Sequence, residues 1–292
     1  MNTPSVMNTL QSSPKMPVMF VGHGSPMNAI EDNEFRRAWQ QVGGYFGTMG
    51  RWAKPQLILS VSAHWLTRGW GLTAMDHPPT IHDFGGFPSE LHAQQYPAPG
   101  SPKYASQISK LIKQHKSATG GLSEPGSTSD DLFLDKHEWG FDHGTWSVLK
   151  PMFPDADIPV IQMSIDYSAS MDAHFELGRQ LSKLRDLGVL IIGSGNTVHN
   201  LRSMVRSAPS SEAFEWNKTF DDWVAQCIDS GHLDRLKHFQ DLGDVAKLAH
   251  PSYEHYLPIL YAAGAARDDD QVEYFSATYQ AKSVAMRSVI WH

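Results

Sequence analysis

The sequence of 292 residues contains a single cysteine, Cys227. One cysteine cannot form an internal disulfide, and zinc sites built from several thiolates and dithiol redox centres are excluded for the same reason. The scarcity of cysteine is compatible with a reducing compartment. We predict that Cys227 fills space in the core and is not a nucleophile.

Positive charge and long apolar runs are also scarce. The chain has 24 Lys and Arg against 31 Asp and Glu, a net charge of -7, and no block of basic residues. This balance argues against nucleic acid or an anionic membrane as a partner and favours a small-molecule substrate. The longest apolar stretch, residues 257–266, is interrupted by Pro258 and is far shorter than the ~20 residues that span a bilayer. We therefore expect a soluble, cytoplasmic protein.

The first residues differ in composition from the remainder. Residues 1–16 are rich in Ser, Thr, Asn and Pro, have no extended apolar run and carry one cation, Lys15, so they resemble neither a signal peptide nor a transit peptide. We predict a mobile tail there and one domain over residues 17–292, which is long enough to bury roughly 75% of its unfolded surface. The Gly- and Ser-rich stretch 119–131 is then a surface loop of that domain and not a linker.

Four compact apolar runs, at residues 17–21, 56–62, 159–165 and 189–192, have the pattern of strands that are buried on both faces. Between the last two, Asp172 is placed to cap a helix that Gly188 closes, which predicts a right-handed βαβ unit. Further helices are predicted to begin at Ser101 and to cover residues 211–228. The sequence therefore predicts a single α/β domain with a mostly parallel central sheet flanked by helices.

Histidines recur where these predicted elements meet turns. They are His23, between two glycines after the first strand; His64, after the second; His199, beyond the glycine turn that follows the fourth; and His255, in the first turn of a helix that Ser252 would cap. Imidazole is the commonest protein ligand for transition metals, and strand ends in α/β sheets are where sites assemble. We predict a mononuclear metal site at the carboxyl edge of the strands.

Each segment alone permits another interpretation. His23 would also suit a tight turn that has no function, and His64 would suit a core position in which its ring bonds to a backbone carbonyl. The loop 193–195, Gly-Ser-Gly, could cradle a phosphate, but no Lys or Arg lies within it and Arg202 is the nearest cation. The histidines indicate a metal only when they are taken together.

His143 is a fifth candidate, again beside a glycine. Its ordinary pKa near ~6.5 suits proton transfer at neutral pH, although a loop histidine bonded to Asp142 is the simpler alternative. Residues 78–88 have the glycine and aromatic content of a loop that covers a flat apolar ligand, or of a packed surface loop. We interpret His82 in that loop and His115 in the helix that begins at Ser101 as bystanders.

Six motifs in order resemble one known family. They are Gly22-His23-Gly24-Ser25-Pro26, Ser62-Ala63-His64-Trp65, Asp83-Phe84-Gly85-Gly86-Phe87-Pro88, Asp142-His143-Gly144-Thr145-Trp146, Gly193-Ser194-Gly195-Asn196 with His199-Asn200-Leu201, and His250-Pro251 with Glu254-His255. The sequence resembles the LigB-like class III extradiol ring-opening dioxygenases of the DODA type from about residue 17 to its end. Each motif is weak by itself, and the ordered set is specific.

The resemblance implies a non-haem metal at the carboxyl edge of the sheet and cleavage of a catechol ring, that of L-DOPA or a similar small catechol, with O2 to a muconic semialdehyde. His23, His64 and His255 fall on metal-binding positions. His199 falls on a histidine that neighbours the metal and is assigned acid/base work in relatives, so we count it in both roles. His143 falls on a histidine thought to contact oxygen or substrate.

The chain departs from the wider superfamily at the third ligand position, where His255 stands in place of a glutamate. Two histidines and a carboxylate select Fe(II), whereas three imidazoles also describe catalytic zinc. We favour Fe(II) in the working enzyme, with Zn(II) as an occupant of isolated protein. Two other functions stay open: a zinc hydrolase with Glu254 as base, and a metal-binding protein without catalysis. Glu254 and His250 are the alternatives to His255 as ligand.

Overall fold

The computed structural model describes residues 9–113 and 131–292, which contain two β-sheets. The strands of the larger sheet are β1 (Val18–Gly22), β2 (Leu57–Thr67), β3 (Gly71–Thr73), β4 (Phe133–Asp135), β5 (Val160–Asp166), β6 (Val189–Gly195), β8 (Val272–Phe275) and β11 (Ser288–Trp291). Those of the smaller sheet are β7 (Val198–His199), β9 (Tyr279–Gln280) and β10 (Val284–Ala285). The larger sheet has the strand order β4-β3-β5-β2-β6-β1-β11-β8.

Helices cover both faces of the larger sheet. They are α1 (Glu34–Gly43), α2 (Ser89–His92), α3 (Pro102–Leu111), α4 (His143–Met152), α5 (Met171–Leu181), α6 (Glu215–Asp229), α7 (Asp244–Ala249) and α8 (Leu257–Ala265), with 3-10 helices at Pro26–Ala29, Ser182–Leu187, Leu201–Ser203 and Leu233–Leu242. Apolar side chains of α5, α6 and α8 share one core, and those of α1 and α4 share the other. The sheet is therefore the middle of three layers.

The four predicted strands form the parallel centre of this sheet. β5, β2, β6 and β1 are neighbours in that order, and each of these pairings is parallel. Successive side chains alternate between the two cores, so that Val18 and Phe20 lie on one face of β1 while Met19 and Val21 lie on the other. This arrangement explains why the strands are continuously apolar. The predicted α/β class with a mostly parallel, helix-flanked sheet is confirmed.

Helix boundaries depart from the prediction by a few residues. α5 begins after Ser170, whose hydroxyl accepts a hydrogen bond from Ala173 N–H, while Asp172, the predicted cap, lies in the first turn. Both positions suit an acidic or hydroxyl side chain at a helix start, which is why the pattern does not separate them. Ser101 caps α3 as predicted, and Gly188 has the predicted left-handed backbone, with φ of 70°.

Two predicted segments lie partly outside the described residues: 1–8 of the tail and 119–130 of the surface loop. Residues 9–16 of the predicted tail, in contrast, are hydrogen-bonded to the domain. The N–H of Ser13 donates to Asp186 O over 2.9 Å, and the N–H of Met16 donates to Arg185 O over 3.1 Å. Over residues 9–113 and 131–292, no helix is both long enough and apolar enough to cross a membrane.

A buried guanidinium joins the ends of several elements. Arg185 donates to the carbonyl of Met16 before β1 over 2.7 Å, to that of Ala265 at the end of α8 over 3.1 Å, and to that of Trp291 in β11 over 3.3 Å. It also donates two hydrogen bonds, of 2.5 and 2.8 Å, to Asp270. Both side chains have no accessible surface. Asp270 also accepts from Lys15 Nζ over 2.7 Å, but the Lys15 side chain is partly exposed, so Arg185 is the fully buried charge that Asp270 balances.

Replacing Arg185 by Met should lower the free energy of unfolding by about 3–5 kcal/mol, because Asp270 would keep only the partly exposed Lys15 as a charged partner and three buried carbonyls would lose their donor. Urea denaturation followed by circular dichroism measures this. Arg179→Met is the matched control, since Arg179 is exposed and lies 3.8 Å from Glu176; we expect a change of less than about 1 kcal/mol. Equal effects of the two variants would contradict the proposed importance of the buried pair.

Candidate metal centre

His23 lies directly beyond β1, where glycines surround it. A side chain at Gly22 would approach the backbone oxygen of Met286 to 2.8 Å, and Gly24 has a φ of 55°, which favours glycine. The N–H of His23 donates to Gly195 O over 3.0 Å, and the Asn28 side chain donates to its carbonyl over 3.1 Å. The backbone N–H and carbonyl of His23 are therefore both fixed, and the residue is 1% exposed.

His64 lies inside β2 and not after it, which corrects the predicted end of this strand. The pairing of β2 with β5 changes register between Val61 and Leu66, and His64 falls in that irregular stretch. Such irregularities redirect side chains, and they are common beside active sites. The apolar run ends at Ser62, so the sequence pattern could not show that the strand continues through a histidine.

His255 also differs from the prediction in its local structure. α8 begins at Leu257, so His255 lies in the turn before the helix and not in its first turn. Ser252, the predicted cap, instead donates its hydroxyl to Glu254 over 3.0 Å. The carbonyl of His255 accepts a hydrogen bond of 2.8 Å from Asn196 N–H, which ties this turn to the end of β6.

These three imidazoles converge, as the sequence predicts. One ring nitrogen from each of His23, His64 and His255 lies within 4.8 Å of the others. The Nε2 atoms of His23 and His64 are 3.3 Å apart, and the ring centroids of His255 lie 5.2 Å from His23 and 4.9 Å from His64. β1 and β2 are not neighbours, because β6 lies between them. The rings meet at the carboxyl edge of this parallel group.

A hydroxyl sets the orientation of the His23 ring. Its Nδ1 lies 3.1 Å from Ser194 Oγ, and that hydroxyl donates its only hydrogen to Gly144 O over 2.5 Å. Ser194 must therefore accept from Nδ1, which carries the hydrogen. The lone pair of His23 is left on Nε2, the nitrogen that faces His64.

In the other two histidines, a carboxylate lies beside Nδ1, as the Ser194 hydroxyl does in His23. Asp83 Oδ2 lies 3.2 Å from His64 Nδ1, and Glu254 Oε1 lies 3.2 Å from His255 Nδ1. An acceptor on Nδ1 fixes the tautomer and leaves Nε2 free to bind a metal. Sequence reasoning noted that Glu254 adjoins a histidine but missed Asp83, since nothing in its position along the chain indicates that it reaches His64.

Burial keeps the three imidazoles neutral. It lowers the pKa of His23, of His64 and of His255 well below the ordinary value, and the neighbouring imidazoles lower it further. A neutral imidazole with a free Nε2 is the form that binds a metal ion. The donor set therefore fits a divalent transition metal that is held by three nitrogens.

His199 lies in β7, beside this group but not within it. Its ring stacks on that of His255, with centroids 3.5 Å apart and planes 8° from parallel. Burial, and then the nearby His250 and His143, lower the pKa of His199 to about 3, so the ring is neutral.

His143 is the first residue of α4 and not a loop residue. Asp142 caps this helix by accepting from Thr145 N–H over 3.2 Å, which displaces the alternative of a His143–Asp142 bond. The His143 ring lies 3.9 Å from that of His64 between centroids, and its Nδ1 is 3.0 Å from Asp83 Oδ1. His64, Asp83 and His143 thus form a second group with close ligand atoms, which shares His64 with the first.

The other candidates are engaged elsewhere. His250 Nε2 lies 2.7 Å from the carbonyl of Thr197, and its ring packs edge-on against Phe220 at 5.1 Å, so it is a core histidine that anchors the loop before His199. His82 Nε2 lies 2.9 Å from Gln94 O. Cys227 is buried, as predicted. In the loop 78–88, Phe84 reaches the site as well as Asp83, with its ring edge-on to that of His143 at 5.6 Å.

Gly193 and Gly195 allow other parts of the backbone to pack closely against β6, and they do not form a phosphate site. A side chain at Gly193 would overlap the carbonyl of Pro258, and one at Gly195 would overlap that of His255. β6 therefore needs glycine so that the start of α8 can approach it closely. The space that a phosphate would need is filled by protein backbone.

Comparison with known proteins adds an independent line of support. Residues 17–288 match the family described as the catalytic LigB subunit of aromatic ring-opening dioxygenase. The chain is 43% identical over 290 residues to the 4,5-DOPA dioxygenase extradiol of Escherichia coli strain K12, covering 98% of each chain, and 36% identical over 259 residues to that of Beta vulgaris, covering 87% of this chain and 88% of the relative. A crystal structure of an E. coli K12 protein described as uncharacterized superposes with a TM-score of 0.75 at 38% identity, covering 94% of this chain and 99% of that one.

Replacing His255 by Ala should reduce the metal content from about one equivalent per chain to a trace, because two imidazoles hold a divalent ion poorly. His143→Ala should retain the metal. Elemental analysis after anaerobic Fe(II) loading and desalting measures both, with His238→Ala as the control, since His238 is exposed in the 3-10 helix Leu233–Leu242. Unchanged metal in the His255 variant would transfer the ligand role to Glu254 or another group.

Proposed function

The chain belongs to the LigB family of aromatic ring-opening dioxygenases, and we propose that it opens the ring of a catechol, L-DOPA or a similar small one, with O2. Cleavage beside the two hydroxyl groups gives a muconic semialdehyde and places both oxygen atoms in the product. The observation that carries the proposal is the convergence of three neutral imidazoles at one point. The names of the relatives, 4,5-DOPA dioxygenase extradiol, support this substrate class.

We assign His23, His64 and His255 as the residues that hold the metal, which we propose to be Fe(II) in the working enzyme. When bound, the metal supplies Lewis acidity that lowers the pKa of a catechol hydroxyl, and redox chemistry that lets O2 react with the ring. Zn(II) binds nitrogen ligands more strongly than Fe(II), so zinc is expected to compete during isolation.

The proton-handling groups belong to the chain itself. His199 is neutral and stacks on His255, which supports its assignment as the base that accepts the proton of a catechol hydroxyl and returns it after ring cleavage. Its low pKa makes the transfer favourable only from a donor that has been acidified in the site, which limits proton uptake from bulk water. His143 is the second acid/base candidate, and Asp83 Oδ1 lies 3.0 Å from its Nδ1.

The ring contacts of Phe84 with Phe87 and with His143 support a position for a flat substrate ring beside them. Phe84 and Phe87 contact each other edge-on at 5.3 Å, and Phe84 contacts His143. A planar aromatic substrate buries its faces against such edges. The loop 78–88 thus supplies one wall of the proposed substrate site.

The zinc-hydrolase alternative receives little support from the geometry. It needs Glu254 as a base, but this carboxylate accepts from the Ser252 hydroxyl and lies behind the His255 ring, on Nδ1. A base in that place is directed away from the side of the ring on which a metal-bound water would lie. A non-catalytic role would be indicated by metal and catechol binding without turnover.

Anaerobic loading with Fe(II), followed by L-DOPA and O2, should give a coloured product and consume one molecule of O2 for each catechol opened. An oxygen electrode and absorbance spectroscopy measure the two together. Zinc-loaded protein is the control and should consume no O2, since zinc has no redox chemistry. Iron-loaded protein that leaves every catechol intact would contradict the proposal, and ester hydrolysis by zinc-loaded protein without O2 would support a hydrolase instead.

Replacing His199 by Ala should lower kcat by about 10²- to 10⁴-fold, the range for loss of an acid/base group, while the iron content stays unchanged. Steady-state oxygen uptake and elemental analysis of the same preparation test both parts. His238→Ala, at an exposed position in the 3-10 helix Leu233–Leu242, should leave the rate unchanged. Parallel loss of iron would make His199 a fourth ligand, and an unchanged rate would move the acid/base role to His143.

A further inference from the structure

The three proposed ligands are held from behind by groups of different charge. His23 rests on the neutral hydroxyl of Ser194, whereas His64 and His255 rest on the carboxylates of Asp83 and Glu254. Three imidazoles bring no charge to a divalent ion. The carboxylates that contact ligand rings, Asp83 and Glu254, lie on the Nδ1 side of those rings.

We propose that Asp83 and Glu254 are positioning residues whose charges, acting through the His64 and His255 rings, compensate for the absence of a carboxylate among the ligands. This inference rests on the proposed metal-dependent function. A carboxylate on Nδ1 makes an imidazole a stronger donor and fixes its orientation. Asp83 and Glu254 thus set both the affinity for the ion and its redox potential.

We expect Asp83 to have a larger effect on the metal than Glu254, because Asp83 contacts two imidazoles. Its Oδ2 lies 3.2 Å from His64 Nδ1, and its Oδ1 lies 3.0 Å from His143 Nδ1. Oδ1 also accepts a hydrogen bond of 2.9 Å from the backbone N–H of His143. Its side chain is 17% exposed, so solvent screens the charge only in part. One carboxylate therefore places a ligand ring and an acid/base candidate relative to each other.

A substitution of Glu254 can separate the effect of its charge on the metal from the effect of its hydrogen bonds. It contacts one ligand ring, at 3.2 Å, and its side chain is 26% exposed. In Glu254→Gln the amide oxygen still accepts from His255 Nδ1 and from the Ser252 hydroxyl, so the geometry is kept and the charge is lost. In Asp83→Asn the charge is lost and one of the two oxygens becomes a donor, which cannot accept from an imidazole N–H.

The test is an anaerobic titration of the apo-proteins with Fe(II) against a chromophoric chelator, together with the Fe(III)/Fe(II) potential of the loaded proteins by spectroelectrochemistry. We expect Asp83→Asn to weaken Fe(II) binding by about 10- to 100-fold, and Glu254→Gln to weaken it less. Both variants should raise the potential, since loss of negative charge disfavours Fe(III) more than Fe(II). Glu90→Gln removes one charge from an exposed position near the same loop and should change neither quantity.

Affinity and potential in Asp83→Asn and Glu254→Gln that match those of the unchanged protein would overturn the inference. Circular dichroism checks the fold of each apo-protein, and Glu254→Gln decides the question if Asp83→Asn does not fold. A purely structural role would lower stability without moving the potential of the iron that is bound. Unaltered protein that binds no Fe(II) would instead refute the proposed function, so the two failures are distinguishable.

Discussion

The site depends on keeping three imidazoles uncharged while one ring nitrogen of each lies within 4.8 Å of the others. Protonation of any one of them would place a positive charge in a buried space beside the other rings and would compete directly with a metal. Burial opposes that protonation, Ser194 and Glu254 accept the Nδ1 hydrogens of His23 and His255, and Asp83 Oδ2 lies 3.2 Å from His64 Nδ1. The same contacts satisfy the buried polar atoms and direct each Nε2 toward the common centre.

The rigidity of this arrangement comes from the end of β6. Asn196 N–H donates to the carbonyl of His255 over 2.8 Å, its side-chain oxygen accepts from Gly24 N–H over 3.2 Å, and its amide donates to Ala285 O over 2.9 Å. The carbonyl of Gly195, the preceding residue, accepts a hydrogen bond from the N–H of His23. One short segment thus connects the turns that carry two of the three ligands. Because β6 lies between β1 and β2, it also sets the separation of His23 from His64.

The central strands and the convergence of the histidines could be predicted from the sequence, whereas the short strands and the contact of Asp83 could not. The central strands were predictable because both faces are buried, which makes each a continuous apolar run. β3, β4, β8 and β11 were not, since each has four residues or fewer and no periodicity develops over that length. The convergence of His23, His64 and His255 was predictable from strand ends and from family motifs. The contact of Asp83 with His64 was not, because it depends on how an irregular loop folds back over the sheet edge.

The most direct test of the account is a crystal structure of the protein loaded anaerobically with Fe(II). The account predicts one ion bound by the Nε2 atoms of His23, His64 and His255 at about 2.0–2.2 Å, with Asp83 and Glu254 still on the Nδ1 atoms behind them. An ion held instead by Asp83 and His143, or by the carboxylate of Glu254 in place of the His255 ring, would contradict it.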